Sequence, residues 1–219
     1  MHHLNIAVHV IAGSIALIAG LAAAMVAKGR KNHIRFGKYF MWMIVIVIIT
    51  GLIGVFVFKR NNFLLVITLL SGYNCFSGIR AVRLRGQRPH TIDYLIPILV
   101  MASALYYLYY IRSIGLYWSP VIIYSTVGAL FLVAVYDLCK WIIPVTILKK
   151  AVMYEHAYKM VSAFSAITSA FSGTVFPQFK PYSQFLPSVI GFAYIIITFI
   201  RLGNGPIALK RNTLSPQAD

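Results

Sequence analysis

Apolar residues in this chain come in long runs rather than in the alternating or three-four rhythm of a soluble domain. Seven runs stand out, at 4–27, 39–58, 62–81, 92–111, 117–138, 152–175 and 185–203. Each is close to the roughly 20 residues that an α-helix needs to cross the hydrocarbon core of a bilayer. The pattern predicts an all-α integral membrane protein, a bundle of about seven transmembrane helices. Residues 1–203 read as one transmembrane domain, and 204–219 as a short cytosolic polar tail.

Short polar breaks at 28–32, 59–61, 83–89 and 112–115 separate the first five runs. Two other breaks differ. Residues 140–151 mix Trp141, Ile142, Ile143, Pro144 and Ile147 with Lys149 and Lys150, which predicts an interfacial stretch along the inner leaflet. Residues 176–187 carry Pro177, Pro181 and Pro187 among aromatics, which predicts an ordered cap at the outer interface. Tyr106, Tyr107, Tyr109 and Tyr110, with Tyr117 and Trp118, suit an aromatic belt at that same surface.

Composition agrees with the pattern: 60% hydrophobic, 11% charged, mean hydropathy +0.80. Soluble domains run nearer half apolar and a quarter charged. Charge adds an orientation. With the 28–38 cluster on the cytosolic side, sixteen of the twenty lysines and arginines fall inside, and only Lys59, Arg60, Arg112 and Lys180 outside. The positive-inside rule then gives N-out, C-in for seven spans. The first run is too long for a signal peptide and has no basic segment ahead of it. A net charge of +16 could point to nucleic acid, but no soluble basic module exists to carry it. Anionic lipids of the inner leaflet are the partner that this charge implies. Cys75 and Cys139 fall in different runs without paired spacing and read as buried thiols.

Two runs carry packing signals. His9, Gly13, Ala16, Gly20 and Ala24 recur every three or four positions, a small-residue face that lets helix backbones approach. Ser162, Ser165, Ser169 and Ser172, with Ala166 and Gly173, form a comparable stripe in the sixth run. It reads as packing, with hydroxyls bonded back to their own helix, or as a hydrophilic path.

The candidate chemistry lies at the cytosolic end. His33, His90 and His156 each fall in the first turn of an even-numbered run or just ahead of it, so the topology places them at one depth. Asp93, Asp137 and Glu155 map to the same end, and ionisable groups at membrane depth usually mark a site or a buried pair. These six residues are candidate ligands for zinc or iron, with imidazole nitrogens binding and carboxylates binding or orienting. A b-type haem is the other cofactor to consider, with His90 and His156 as axial ligands and His9, beside Gly13, close to a porphyrin. Each residue also has a plainer reading. Asp93 and Glu155 suit the first turn of a helix, where the dipole favours an anion. His33 and His90 sit beside arginines and suit solvated loops. Asp137 is the exception, because it closes the fifth run, where the dipole disfavours it. Lys140, Lys159 or an arginine from a neighbouring span are its natural partners.

The segment from His9 through Gly13, Ala16 and Gly20, then His33, Arg35, Gly37 and Tyr39, resembles a family of predicted bacterial multi-span membrane proteins classed as a domain of unknown function. Its pattern is His-x3-Gly followed by His-Arg-x-x-Gly-x-x-Tyr. Here Ile34 follows His33, and Tyr39 comes one position early. The resemblance covers about the first 40 residues and implies a bacterial inner-membrane protein, without supplying an activity. Short loops and small-residue faces favour an accessory or binding subunit of a membrane complex, with other membrane proteins as partners. The alternatives are a zinc- or iron-dependent membrane hydrolase and a b-haem oxidoreductase using the cytosolic cluster. A transporter is disfavoured by the lack of a broken-helix pair.

Overall fold

A computed structural model describes residues 1–58, 63–114 and 120–204. Lys59, Arg60, Asn61, Gly115, Tyr117, Trp118, Lys210, Arg211, Asp219 and the polar tail from residue 205 lie outside the described residues. Within them the chain forms seven long helices: α1 (His2–Met25), α2 (Lys31–Phe56), α3 (Phe63–Leu84), α4 (Thr91–Ile114), α5 (Pro120–Cys139), α6 (Val145–Val175) and α7 (Tyr182–Asn204). A 3-10 turn at Pro177–Phe179 precedes α7. Helix is the expected solution, since it satisfies every backbone N–H and C=O within one segment.

Helices α1 to α5 and α7 are long and apolar enough to cross a membrane. Their outward faces are apolar too: Ile11, Ile18, Trp42, Ile49, Leu95, Leu99, Phe192 and Ile200 are all exposed. Such an apolar exterior suits lipid and not water. The chain is therefore a helical, multi-pass membrane protein. Helix α6 stands apart. It is the longest, at 31 residues, but its first half carries Lys149, Lys150, Glu155 and Lys159.

Helices α3 and α6 form the spine. On one side, Val66, Leu70 and Tyr73 of α3 pack with Ala104, Tyr107 and Ile111 of α4 and with Ile123, Val127 and Leu130 of α5. On the other, Cys75 of α3 and Ala163 and Ile167 of α6 pack with Ala16 and Ala19 of α1 and Phe40 and Ile44 of α2. The expected small-residue face of α1 takes part, since a side chain on Gly20 would strike the Phe164 and Phe40 rings.

Helix α7 lies along α6 on the serine stripe. Ser169 and Ser188 share a 3.1 Å hydrogen bond, and a methyl group on Gly191 would overlap Ser165. Pro187 lies within α7 and cannot donate to the Ser183 carbonyl one turn earlier. The Ser172 hydroxyl of α6 donates to that carbonyl instead. The stripe thus packs against a neighbour and repairs a break in its backbone ladder.

Two boundaries depart from the sequence pattern. Helix α2 begins at Lys31, eight residues before its apolar run, which brings His33 into its first turn. Helix α6 begins at Val145, so the interfacial stretch is confined to the turn after α5, where Trp141 and Ile142 are exposed, and to the exposed Ile147, Lys149 and Lys150 on the first turns of α6. His156 and Glu155 consequently sit about three turns inside α6 and not at its start. The reason is that the first turns of α6 carry exposed polar residues that break the apolar pattern, while one position on them docks on protein. Leu148 is buried, and the left-handed Gly86 after α3 leaves room for the Lys149 backbone, which a side chain there would strike.

Replacing Gly191 with Leu should wedge α7 off Ser165 and lower stability by about 1–3 kcal/mol, the usual cost of overpacking. Thermal unfolding in detergent checks this; an unchanged Tm would show that α7 does not depend on the close approach.

Candidate functional site

Four ionisable side chains meet where α5 ends and α6 passes α3. Asp137, Lys140 and Lys159 are 3%, 7% and 1% exposed, and the Glu155 side chain 7%. Helical spacing brings them together: Asp137 and Lys140 are three residues apart, and Glu155 and Lys159 four. Lys140 Nζ lies 2.7 Å from Asp137 Oδ1 and also contacts Glu155 Oε1. Lys159 Nζ lies 2.6 Å from Asp137 Oδ1 and 2.5 Å from Glu155 Oε1. Each carboxylate thus holds both ammonium groups, and the four formal charges cancel.

Helix α3 completes the coordination. Tyr73 donates its hydroxyl to Asp137 Oδ2 at 2.6 Å, and Ser77 donates to the same oxygen at 2.5 Å. Lys159 donates in turn to Ser77 Oγ at 2.5 Å. The Tyr136 ring lies 5.3 Å from Lys140 Nζ and 5.5 Å from Lys159 Nζ, within range of cation–π attraction. Burial works against the charge on Lys140, but Asp137 and Glu155 outweigh it and hold its ammonium above the ordinary lysine range. Of the partners that the sequence offers Asp137, the two lysines, Lys140 and Lys159, are used at once.

A second ion pair lies beside the first. Arg80 of α3 donates Nε and Nη2 to the two oxygens of Asp93, each at 2.6 Å. Asp93 Oδ2 also accepts the His90 backbone N–H at 2.9 Å, as expected of a carboxylate in a first helical turn. A cavity of about 10 Å³ joins the two pairs, lined in part by Asp93, Pro97, Ser77, Asp137 and Lys140. Pro97 has no N–H to offer the Asp93 carbonyl. The space is near the least that one water needs, and it has polar partners for one.

Arg88 closes this end of the bundle. Its Nη1 donates to the carbonyls of Lys140, Trp141 and Ile143 at 3.3, 2.5 and 3.2 Å. An arginine that the charge pattern assigns to topology thus also caps α5 and ties two turns together.

The structure places the three histidines differently from the sequence expectation. His33 and His156 meet, with ring centres 6.4 Å apart. His33 is no solvated loop residue: its Nδ1 lies 3.0 Å from the Ala23 carbonyl that ends α1. His90 stays exposed just ahead of α4, and its recorded bond is through its backbone. Among the described residues, no group of three or more His, Cys, Asp or Glu side chains is arranged to hold a metal ion. The six-residue set of His33, His90, His156, Asp93, Asp137 and Glu155 therefore does not converge. Shared depth is not shared position, and all three carboxylates are held by cations. Glu155 is a member of the buried cluster and not a helix-dipole cap.

The haem arrangement fares similarly. His9 Nδ1 is 2.8 Å from Thr50 Oγ1, whose own proton goes to the Ile46 or Val47 carbonyl, so the histidine donates. Thr50 and His33 are seventeen positions apart on α2, about 25 Å along the axis. His9 is therefore at the opposite end of the bundle from the His33–His156 pair, away from the His90–His156 axial pair of the haem reading.

Sequence reasoning missed Tyr73 and Ser77 as parts of the site. No single-sequence signal marks them beyond their spacing of four on α3, the same spacing that unites Glu155 and Lys159. Comparison with models of known protein families, with curated proteins and with solved structures finds no match to this chain.

Charge balance yields a signed prediction. Asp137→Leu leaves one unpaired positive charge, Lys159→Met one unpaired negative charge, and each should cost about 3–5 kcal/mol. The double variant keeps the neutral Lys140–Glu155 pair and should unfold at a higher temperature than either single variant. Additive losses in thermal unfolding would show that the four groups do not act as one unit.

Proposed function

We propose that this chain is a seven-span bacterial inner-membrane protein, N-out and C-in, that serves as an accessory or binding subunit of a larger membrane assembly. The observation that carries the reading is internal saturation of the cytosolic polar groups. Asp137 and Glu155 each hold two lysines, and Asp93 is held by Arg80 and the His90 N–H. A hydrolase needs a general base or an open metal position within reach of substrate. Here the carboxylates tie helices together, which suits a rigid subunit better than a catalyst. Exposed apolar faces on α1, α2, α4 and α7 are free to meet lipid or a neighbouring protein. The sixteen-to-four bias of basic residues supports the orientation, and anionic inner-leaflet lipids are suitable neighbours for Lys149 and Lys150, both exposed beside Trp141.

In native membranes of the source cell, mild solubilisation followed by native electrophoresis should place the chain in a particle with a second protein at fixed stoichiometry. The same partner should cross-link to it before solubilisation. A chain that runs alone and cross-links only to itself would overturn the subunit reading. For topology, a phosphatase that works only outside the cytosol should be inactive when fused at the C-terminus and active at the N-terminus. Activity at the C-terminus would mean that α6 does not span.

A further inference from the structure

Three cations on α2 have no carboxylate beside them. Lys31, Arg35 and Lys38 are all exposed, and spacings of four and three residues set them on one face of the helix. The whole chain has only four Asp and Glu residues. Asp93, Asp137 and Glu155 are each held by other cations, and Asp219 lies outside the described residues. Among the described residues, no carboxylate balances this face of α2.

The same face continues into the membrane. Trp42, Val45 and Ile49 extend the four-three spacing and are all exposed, Trp42 at 60%. Helix α2 has 26 residues, about 39 Å, against roughly 30 Å for a hydrocarbon core. Its surplus lies at the basic end, since residues 53–56 at the other end carry no charge. Lys31 to Lys38 is a rise of about 10 Å, which sets the three cations at headgroup level. Trp42 follows one turn deeper, at the interface that an indole ring favours.

Arg35 is set to receive an anion. Its Nε donates to the Tyr39 hydroxyl at 3.2 Å, and its guanidinium lies 5.8 Å from the Tyr39 ring centre. That contact fixes one edge of the group and leaves both terminal nitrogens without a partner among the described residues. Paired guanidinium N–H donors match the oxygens of a phosphate.

Two other basic ends differ. Lys149 and Lys150 are exposed, but every residue of α6 from 151 to 170 is buried or half-buried, so no lipid-facing stripe runs beneath them. Arg201 is a single cation over the exposed face of α7. A soluble anion on α2 would use the cations and gain nothing from Trp42, Val45 and Ile49. A phospholipid uses both, and a headgroup with net negative charge supplies the counter-ion that the chain lacks.

We propose that this face of α2 binds an anionic phospholipid, its headgroup on Lys31, Arg35 and Lys38 and an acyl chain along Trp42, Val45 and Ile49. The site shares with the proposed function only the anionic lipid, which it places on α2. It needs no partner subunit, so either reading can fail without the other.

The test reads Trp42 alone. Trp118→Phe and Trp141→Phe are introduced in the full chain, which is reconstituted into phosphatidylcholine vesicles. Phosphatidylglycerol or phosphatidylcholine brominated on its acyl chains is then added, because bromine quenches an indole that it touches. Phosphatidylglycerol should be preferred at Trp42 by about tenfold or more, since each basic residue near anionic lipid is worth roughly fivefold. Lys31→Gln, Arg35→Gln and Lys38→Gln together should bring the preference to within about twofold of unity, and so should high salt, which screens exposed charge. Glutamine keeps the helix propensity of the residues it replaces, and the salt measurement needs no further variant. A companion chain that keeps only Trp141 should show the weaker preference. The proposal is overturned if Trp42 does not distinguish the two lipids, or if the preference persists in the folded triple variant or in high salt. It is overturned as well if the preference at Trp141 exceeds that at Trp42.

Discussion

The buried meeting of Asp137 and Glu155 with Lys140 and Lys159 is the constraint around which the bundle is built. Removing charges from water costs several kcal/mol for each ion, and only close pairing with further hydrogen bonds offsets it. All of those conditions hold here: two carboxylates, two ammonium groups, and Tyr73 and Ser77 filling the remaining oxygen of Asp137. Such an arrangement adds little net stability compared with an apolar core of the same volume. Its effect is selective, because few other registers of α5 and α6 would give each carboxylate both ammonium groups. Sliding α6 by one turn would leave each carboxylate with only the ammonium on its own segment, Asp137 with Lys140 and Glu155 with Lys159.

Packing elsewhere follows from letting α6 sit close to its neighbours. Gly78 admits Lys159 and Met160 from one side, and Gly191 admits Ser165 from the other. Between these points the serine stripe supplies hydroxyls where the ladder of α7 is interrupted by Pro187. Small residues here do two jobs. They shorten the distance between helices, and where they carry a hydroxyl they satisfy backbone groups that lipid cannot.

The sequence made some of this legible and hid the rest for physical reasons. Apolar run length located each long helix, since a bilayer sets a minimum that loops do not meet. The small faces of α1 and α6 were readable because close approach demands particular residue types at helical spacing. Asp137 stood out because a carboxylate at a helix C-terminus needs a cation. What run length concealed was the true start of α6, where turns carrying the exposed Lys149 and Lys150 break the apolar pattern. The run therefore put His156 and Glu155 in the first turn of α6, whereas they lie about three turns inside it. Lateral position was concealed as well: topology assigns a residue to one end of a bundle but not to a place around it. Hence His33 and His156 meet, while His90 stays exposed just ahead of α4.

The polarity of α6 also bears on how the protein is made. A segment with Glu155 and Lys159 in its middle gains little from entering lipid by itself, because its one internal ion pair would arrive without the Asp137, Lys140 and Ser77 contacts that complete it. Its partners, Asp137 and Lys140, come earlier in the chain, as do Tyr73 and Ser77. When α6 leaves the ribosome, the groups that neutralise it are already synthesised and waiting on α5 and α3. Insertion of the last third of the chain is then an assembly step, with α3 and α5 acting as the solvent that admits α6.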